Sequence, residues 1–242
     1  MGGYSQGGPL GSADMKRPLL ALLLGALFLP LTLFGAETAT IGAVSLKVPL
    51  PEGFARFDGA NKDVDKLLVQ MVPPINRLLM VMAPPDDVAA AKQGALRDLN
   101  RYMMLQTFRQ TEKMTITTKE FAEVLKGVDQ QLGSDKAIAK QEEEINAQLK
   151  RTNDVKNLKV GETAMLGIYQ RSDEFVDMGM MLKAQVAGNE PKPIVSAISI
   201  AMIRGKVVYI YVYSAYKTPE DITWTRKTVK EWRESITAAN KE

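Results

Sequence analysis

Three tyrosines near the carboxyl end are spaced so that they could bind a ligand together. Tyr209, Tyr211 and Tyr213 alternate with valine and isoleucine, and a period of two places them on one face of a strand. Tyrosine joins an apolar ring to a hydroxyl that needs a hydrogen-bond partner or water. The pattern makes an aromatic ligand-binding surface the best candidate site in the chain. The interpretation that the sequence favours is a sheet face covered by a helix, with the hydroxyls reaching its edge.

The chain has no cysteine and no histidine among its 242 residues, which excludes several kinds of chemistry. Without histidine there is no proton acceptor for a Ser-His-Asp or Cys-His catalytic unit. Disulfides are excluded, as are metal sites that need imidazole or thiolate ligands. We therefore expect no cofactor and no metal, and the sequence favours a protein that is not an enzyme.

Two patterns keep a hydrolase open as an alternative. Ser214 and Lys217 match the S-x-x-K pattern of penicillin-binding enzymes, although that pattern needs the serine at the start of a helix and here it follows a predicted strand. Neighbouring carboxylates could serve as an acid and a base, although solvated turns also carry such charges. These carboxylates are Asp86, Asp87, Asp173, Glu174 and Asp177.

Clustered methionines are a further candidate for chemistry. Met178, Met180 and Met181 lie together, and Met103 and Met104 are adjacent upstream. Thioethers are soft ligands that could hold Cu(I), but methionine also fills irregular cores. Because the chain has no histidine or cysteine that could complete a copper site with these methionines, the sequence favours core packing.

The elements that must position these residues follow from hydrophobic periodicity. Thr117 and Glu120 form a capping box that starts a helix. Arg204 and Gly205 separate two apolar runs and predict a tight hairpin. Thr218 and Pro219 predict the start of a last helix. Strands are predicted at 43–48, 77–82, 102–108, 165–169, 175–186, 194–203 and 207–213, and helices at 63–71, 84–91, 117–133, 135–151 and from 218 onwards.

Strands and helices are segregated along the chain, which predicts an α+β fold: an antiparallel β-sheet with helices packed on it. The helix at 135–151 has a thin apolar stripe beside three consecutive glutamates. It should therefore lie on the outside of the domain or be an insertion.

The amino-terminal region has the pattern of a targeting segment. Lys16 and Arg17 precede an apolar run, as in a secretory signal peptide. We predict an upstream extension or cloning remnant at 1–14, a signal peptide at 15–36 and a single α+β domain at 40–242. An uncleaved anchor is the alternative. The predicted localisation is periplasmic or secreted.

The order of elements resembles that of the PsbP-like fold. The resemblance is carried by the opening V-P-L-P-E-G-F at 48–54, the helix start T-K-E-F at 118–121, the hairpin at 203–209 and a last helix with Trp232 and Ile236. Photosystem extrinsic subunits, a nuclear-transport Ran-binding family and DcrB-like bacterial envelope proteins share that fold. The resemblance implies a PsbP-like α/β sandwich and an accessory or binding role, and it carries over no functional residue.

These observations together predict an exported, non-enzymatic envelope accessory protein. It would bind a protein partner or a small ligand through the tyrosine face or through the helix at 135–151. The alternatives are a hydrolase using carboxylates or the Ser214/Lys217 pair, and a signal-anchored membrane-assembly factor. The net charge of +3 is too balanced to indicate nucleic acid, and no membrane contact is expected after signal cleavage.

Overall fold

A computed structural model describes residues 36–95, 99–132, 139–140, 142–143, 146–147, 158–186 and 190–241. All of them belong to the compact unit Leu33–Glu242. Residues 1–14 and the predicted signal peptide lie outside the described residues, except for Ala36, which begins the first strand.

The strands and helices of the described residues follow the predicted order. The strands are β1 Ala36–Ile41, β2 Val44–Pro49, β3 Ala55–Arg56, β4 Asn76–Ala83, β5 Arg101–Phe108, β6 Leu158–Arg171, β7 Phe175–Val186, β8 Lys192–Ile203 and β9 Lys206–Ala215. The helices are α1 Lys62–Gln70, α2 Pro85–Lys92, α3 Thr118–Leu132 and α4 Pro219–Ala239.

A seven-stranded antiparallel sheet is the centre of the fold. Its strand order is β3-β4-β5-β9-β8-β7-β6. It consists of two meanders, β3 to β5 and β6 to β9, which are joined by the pairing of β5 with β9. Strands β1 and β2 form a separate hairpin. The predicted α+β class, an antiparallel sheet with helices packed on it, is confirmed.

One face of the sheet packs against α4 and the β1–β2 hairpin, and we call it the α4 face. Met80, Leu105 and Ile210 lie on its floor, while Leu46 and Trp232 cover them. The Trp232 indole donates a hydrogen bond to the carbonyl of Pro49 over 3.0 Å. One apolar layer therefore holds the hairpin, the sheet and the last helix together.

A buried ion pair also fastens α4 to the sheet. Arg233 on α4 and Asp177 on β7 are both almost completely buried, with 3.0 Å between the Arg233 Nη2 and the Asp177 Oδ2. The Arg233 Nε donates to the same carboxylate, and the guanidinium lies 3.5 Å from the ring centroid of Phe175. The charges satisfy each other where water is excluded.

The opposite face, which we call the α1–α3 face, is covered by two separate helix clusters. Helices α1 and α2 pack over β4 and β5 through Val64, Leu68 and Val88. Helix α3 packs over β7 and β8 through Phe121 and Leu125.

Local signals placed several elements correctly. Thr117 and Glu120 form the predicted capping box, and α4 begins with a capping box between Thr218 and Asp221. Arg204 and Gly205 turn the β8–β9 hairpin with φ of 51° and 69°, as a two-residue turn of this kind requires.

Strand β1 has no counterpart among the predicted elements. It begins at Ala36, ahead of the predicted domain start at residue 40, and its residues Ala39 and Ile41 are buried in the core. It escaped prediction because the apolar run before it dominates the local composition and indicated a targeting segment.

Gly179 on β7 supports a prediction about packing on the α4 face. A Cβ at this position would overlap the hydroxyl and ring of Tyr169 on β6. We expect Gly179→Ala to lower the free energy of unfolding by about 1–3 kcal/mol, as overpacking does, measured by urea denaturation. Gly161→Ala on β6 is the matched control, because nothing lies within 4 Å of its added Cβ. Equal stability of the two variants would contradict the prediction.

The buried ion pair supports a second prediction. Arg233→Met should cost about 3–5 kcal/mol of unfolding free energy, because it leaves the Asp177 carboxylate buried without a partner. The double variant with Asp177→Leu should recover most of that loss, because no buried charge remains. Chemical denaturation of both variants and the wild type measures the difference. A double variant no more stable than the single one would argue against this account.

Candidate functional site

The structure places the three predicted tyrosines side by side on the α1–α3 face. Tyr209, Tyr211 and Tyr213 are half-buried, while Ile210 and Val212 between them are buried on the α4 face. The alternation therefore separates a partly exposed aromatic side of β9 from an apolar core side.

The tyrosine rings form a continuous stack. The ring centroids of Tyr209 and Tyr211 are 6.5 Å apart, and those of Tyr211 and Tyr213 are 5.9 Å apart. Tyr102 on β5 extends the row, with its ring 4.5 Å from that of Tyr213 at an interplanar angle of 14°. We call these four residues the tyrosine ladder. Tyr102 was missed because no local pattern reveals that residue 102 pairs with residue 213.

The ladder lies between the two helix clusters. Tyr213 packs against the α1–α2 cluster, Tyr209 packs against the α3 cluster, and Tyr211 contacts both. Helices cover the sheet on either side of these rings, yet the three β9 tyrosines stay partly exposed. The helices partly cover the rings, as in the interpretation of a helix-covered sheet face. The rings also keep some exposure, and the binding of a ligand there stays a prediction.

A buried amide pair continues the ladder at its Tyr209 end. Gln106 on β5 is the register partner of Tyr209, and its Oε1 accepts a 3.0 Å hydrogen bond from the Nδ2 of Asn76. The Asn76 Oδ1 is buried without a hydrogen-bond partner among the described residues. The row of rings therefore ends in polar groups.

Burial keeps the ladder neutral. It raises the pKa of Tyr102 and of Tyr209 above the usual value for a phenol. It also raises the pKa of Tyr211, with a further contribution from Tyr209, and it raises the pKa of Tyr213 well above the usual value. Protonated hydroxyls can donate hydrogen bonds and cannot act as bases near neutral pH.

The Ser214/Lys217 pair of the hydrolase alternative has a structural role. Ser214 is buried at the end of β9, and its hydroxyl donates to the Asp221 carboxylate over 3.1 Å. Lys217 contributes its backbone N–H to that carboxylate, and its side chain is exposed. Burial raises the pKa of Asp221, but the hydrogen bonds from 217, 218, Ser214 and Arg101 outweigh it and lower the pKa overall. The cluster anchors the start of α4.

The acidic candidates do not converge. Asp173 and Glu174 are exposed in the turn between β6 and β7, whereas Asp177 is buried against Arg233. Asp86 and Asp87 lie in the first turn of α2. Within the part of the chain that the structure describes, no three acidic side chains gather as metal ligands would.

The methionines lie in the apolar layers. Met103 and Met104 point to opposite faces of the sheet, and Met178 and Met180 belong to the cluster under α3. Together with Met181, which is half-buried, they fill space between strands and helices. This agrees with the core packing that the sequence favours.

Of the comparisons with known proteins, only the comparison with solved structures gives matches. No known family matches the sequence, and no curated protein matches it. The solved structures that match include a point mutant of the protein Mog1, with 8% identity, coverage of 85% of this chain and 92% of that one, and a TM-score of 0.32. The Saccharomyces cerevisiae Ran-binding protein Mog1p matches at 8% identity, with 85% and 93% coverage and a TM-score of 0.31.

The comparisons correct two expectations. The solved structures reported above are of Mog1 and neither is a PsbP-like or DcrB-like protein, so that predicted resemblance is wrong. Its P-x-G-F opening reflects a local requirement, since Gly53 turns the chain with a φ of 76°. The predicted periplasmic or secreted localisation is also contradicted: one of the matching structures is a Saccharomyces cerevisiae Ran-binding protein. Among the described residues, no helix combines the length and apolarity that crossing a bilayer needs.

The ladder supports a prediction about alkaline stability. Burial raises the pKa of Tyr211 in the folded chain, whereas the unfolded phenol ionises near its ordinary pKa of about 10. Above that pH the unfolded state binds fewer protons, so the free energy of unfolding falls as pH rises. Tyr211→Phe should lessen this fall, measured by urea denaturation from about pH 8 to pH 11.

The same variant provides its own control below that range. Near pH 7 neither the phenol nor the phenyl ring is charged, so titration contributes nothing to the difference between the two proteins. A wild type and a Tyr211→Phe variant that lose stability in parallel above about pH 10 would contradict the prediction.

Proposed function

We propose that this chain is a non-enzymatic binding protein and that the tyrosine ladder contacts a protein partner. The observation that carries the proposal is the partial exposure of Tyr209, Tyr211 and Tyr213 between the two helix clusters that pack on this sheet face. An aromatic row that helices flank without covering is suited to contact with another molecule.

Tyrosine is well suited to such a contact. Its ring gives a large apolar area, and its hydroxyl finds hydrogen bonds at an interface. Aromatic residues are enriched at the centres of protein interfaces. The ladder rings are already stacked, with interplanar angles of 7–14°. Binding therefore has little side-chain freedom left to remove, and affinity benefits.

The shape of the ladder favours a protein over a small ligand. Small ligands are enclosed by concave pockets. The ladder is instead a row of rings whose flat sides face one another, with neighbouring centroids at most 6.5 Å apart. That spacing leaves no room to insert a planar ligand between two rings. The partly exposed rings of β9 are left for a partner surface.

Site-specific photo-crosslinking tests this proposal. A photoreactive phenylalanine derivative at position 209 should crosslink a single partner in cells of the native host. The same derivative at Tyr216, a half-buried tyrosine outside the ladder, is the matched control and should crosslink that partner much less. Equal crosslinking from both positions would contradict the proposal.

The recovered partner then allows a quantitative measurement. Tyr211→Ala should weaken the affinity at least about 30-fold, the loss typical of a central interface residue, measured by titration calorimetry. Tyr216→Ala should change it by less than about threefold. Unchanged affinity in Tyr211→Ala, with the fold intact by circular dichroism, would show that the ladder is not the contact.

A further inference from the structure

Strand β6 is an outer edge of the seven-stranded sheet. It pairs with β7 on one side and ends the strand order. An edge strand presents unpaired N–H and C=O groups that can pair with another chain. The tyrosine ladder lies on β5 and β9, so the β6 edge is a separate surface from the site of the proposed function.

Along the first part of this edge, side chains form the backbone hydrogen bonds that a neighbouring strand would otherwise form. The Asn146 amide donates to the carbonyl of Val160 over 2.6 Å, and its Oδ1 accepts from the Val160 N–H over 2.9 Å. Glu142 accepts from the N–H of Thr163 over 2.7 Å. Both side chains come from helical residues one turn apart. The edge therefore already accepts a peptide-like amide in the position of a partner strand.

The second part of the edge differs in the part of the chain that the structure describes. The side-chain amide and carboxylate that cover Val160 and Thr163 do not extend to the stretch from Met165 to Arg171. Leu166 and Ile168 lie in this stretch and are 38% and 48% exposed. Natural edge strands usually avoid exposed apolar residues because such residues promote pairing with other chains. Their presence here indicates an edge that is used.

Charge beside this second part of the edge indicates the character of the partner segment. Arg226 on α4 is exposed and lies over the ring of Tyr169 at 4.8 Å. Among the described residues it has no carboxylate partner. Arg171 at the end of β6 is bound to Asp129, and the acidic pair Asp173 and Glu174 lies beyond the strand, in the turn to β7. Arg226 is therefore the exposed cation beside this stretch that we expect to attract an acidic group.

We propose that a short extended segment of a protein partner adds to the sheet beside residues 166–171 of β6. An aliphatic side chain of the segment contacts Ile168 on the α1–α3 face, and a carboxylate approaches Arg226 on the α4 face. Main-chain hydrogen bonds supply affinity in strand addition, and alternate side chains supply specificity. Glu142 and Asn146 limit the segment to this end of the strand.

Two features disfavour a second copy of the chain as the occupant. Register shifts at 165–167 and 168–170 interrupt β6, and bulges of this kind oppose long regular edge pairing. Self-pairing would also bring Arg226 of each copy near the same interface. A short heterologous segment of opposite charge avoids both problems.

The experiment uses the full chain and a defined probe, the peptide acetyl-Glu-Val-Glu-Val-Glu-Val-amide. Its lysine counterpart, with Lys in place of Glu, is the control peptide. Amide hydrogen exchange should show slower exchange at 165–171 when the glutamate peptide is added, and weaker protection with the lysine peptide at the same concentration. No protection at 165–171 with saturating glutamate peptide would overturn the proposal.

Variants test the two side-chain contacts. Ile168→Glu should abolish the protection, whereas Ile75→Glu, at a similarly exposed apolar residue elsewhere (51%), should not. Arg226→Glu should weaken binding of the glutamate peptide about threefold to fivefold and should strengthen binding of the lysine peptide. Equal binding of both peptides by the wild type and Arg226→Glu would overturn the charge assignment.

Two further outcomes separate this proposal from its rivals. Tyr211→Ala should leave the peptide-dependent protection unchanged, so failure at the ladder and failure at β6 are distinguishable. Protection at 165–171 that depends on protein concentration without peptide, together with a dimer mass by sedimentation, would overturn the partner segment and assign the edge to a second copy.

Discussion

The pairing of β5 with β9 is the constraint on which the fold depends. It joins residues 101–107 to 208–214, and without it the two meanders would be separate sheets, each with an exposed edge. Closing a connection of about a hundred residues costs loop entropy, which increases only slowly with length. Burial on both faces offsets that cost, because β9 contributes Val208 and Ile210 to the α4 face and the tyrosines to the other. The hydroxyl of Thr107 adds a hydrogen bond to the carbonyl of Val207.

The tyrosine ladder is a direct consequence of that pairing. The alternation on β9 aligns three rings, but the fourth ring comes from β5 and stacks only because Tyr102 lies opposite Tyr213. The same register places Gln106 beside Tyr209, so the row ends at a buried amide pair. Burial raises the pKa of these phenols, so the rings stay neutral near neutral pH. Neutral, partly exposed rings are the feature on which the proposed binding role rests.

Both sheets use asparagine side chains to complete a strand edge. Asn240, just after α4, exchanges two hydrogen bonds with the backbone of Lys47 on β2, at 2.9 and 2.7 Å. Asn146 does the same at Val160 on β6. A side-chain amide has the donor and acceptor of a peptide group, so it satisfies an edge without adding a strand. The two edges differ in extent: among the described residues, the side-chain cover of β6 reaches Thr163 and does not continue over the apolar stretch beyond it.

The sequence by itself determined the elements whose cause is local. The Thr117 capping box, the Arg204-Gly205 turn and the alternation on β9 each depend on neighbouring residues, so they identified helix starts, a hairpin and a strand, and hence the α+β class. Local composition was a poor guide elsewhere. It did not predict strand β1, and it suggested a family and a cellular location that the comparisons contradict. Only the tertiary structure decided that Tyr102 joins the ladder, that Asp177 is a buried partner of Arg233 and that β6 is an edge. Each of these depends on which distant segments pair, and pairing is settled by burial summed over the whole sheet, which no short pattern contains.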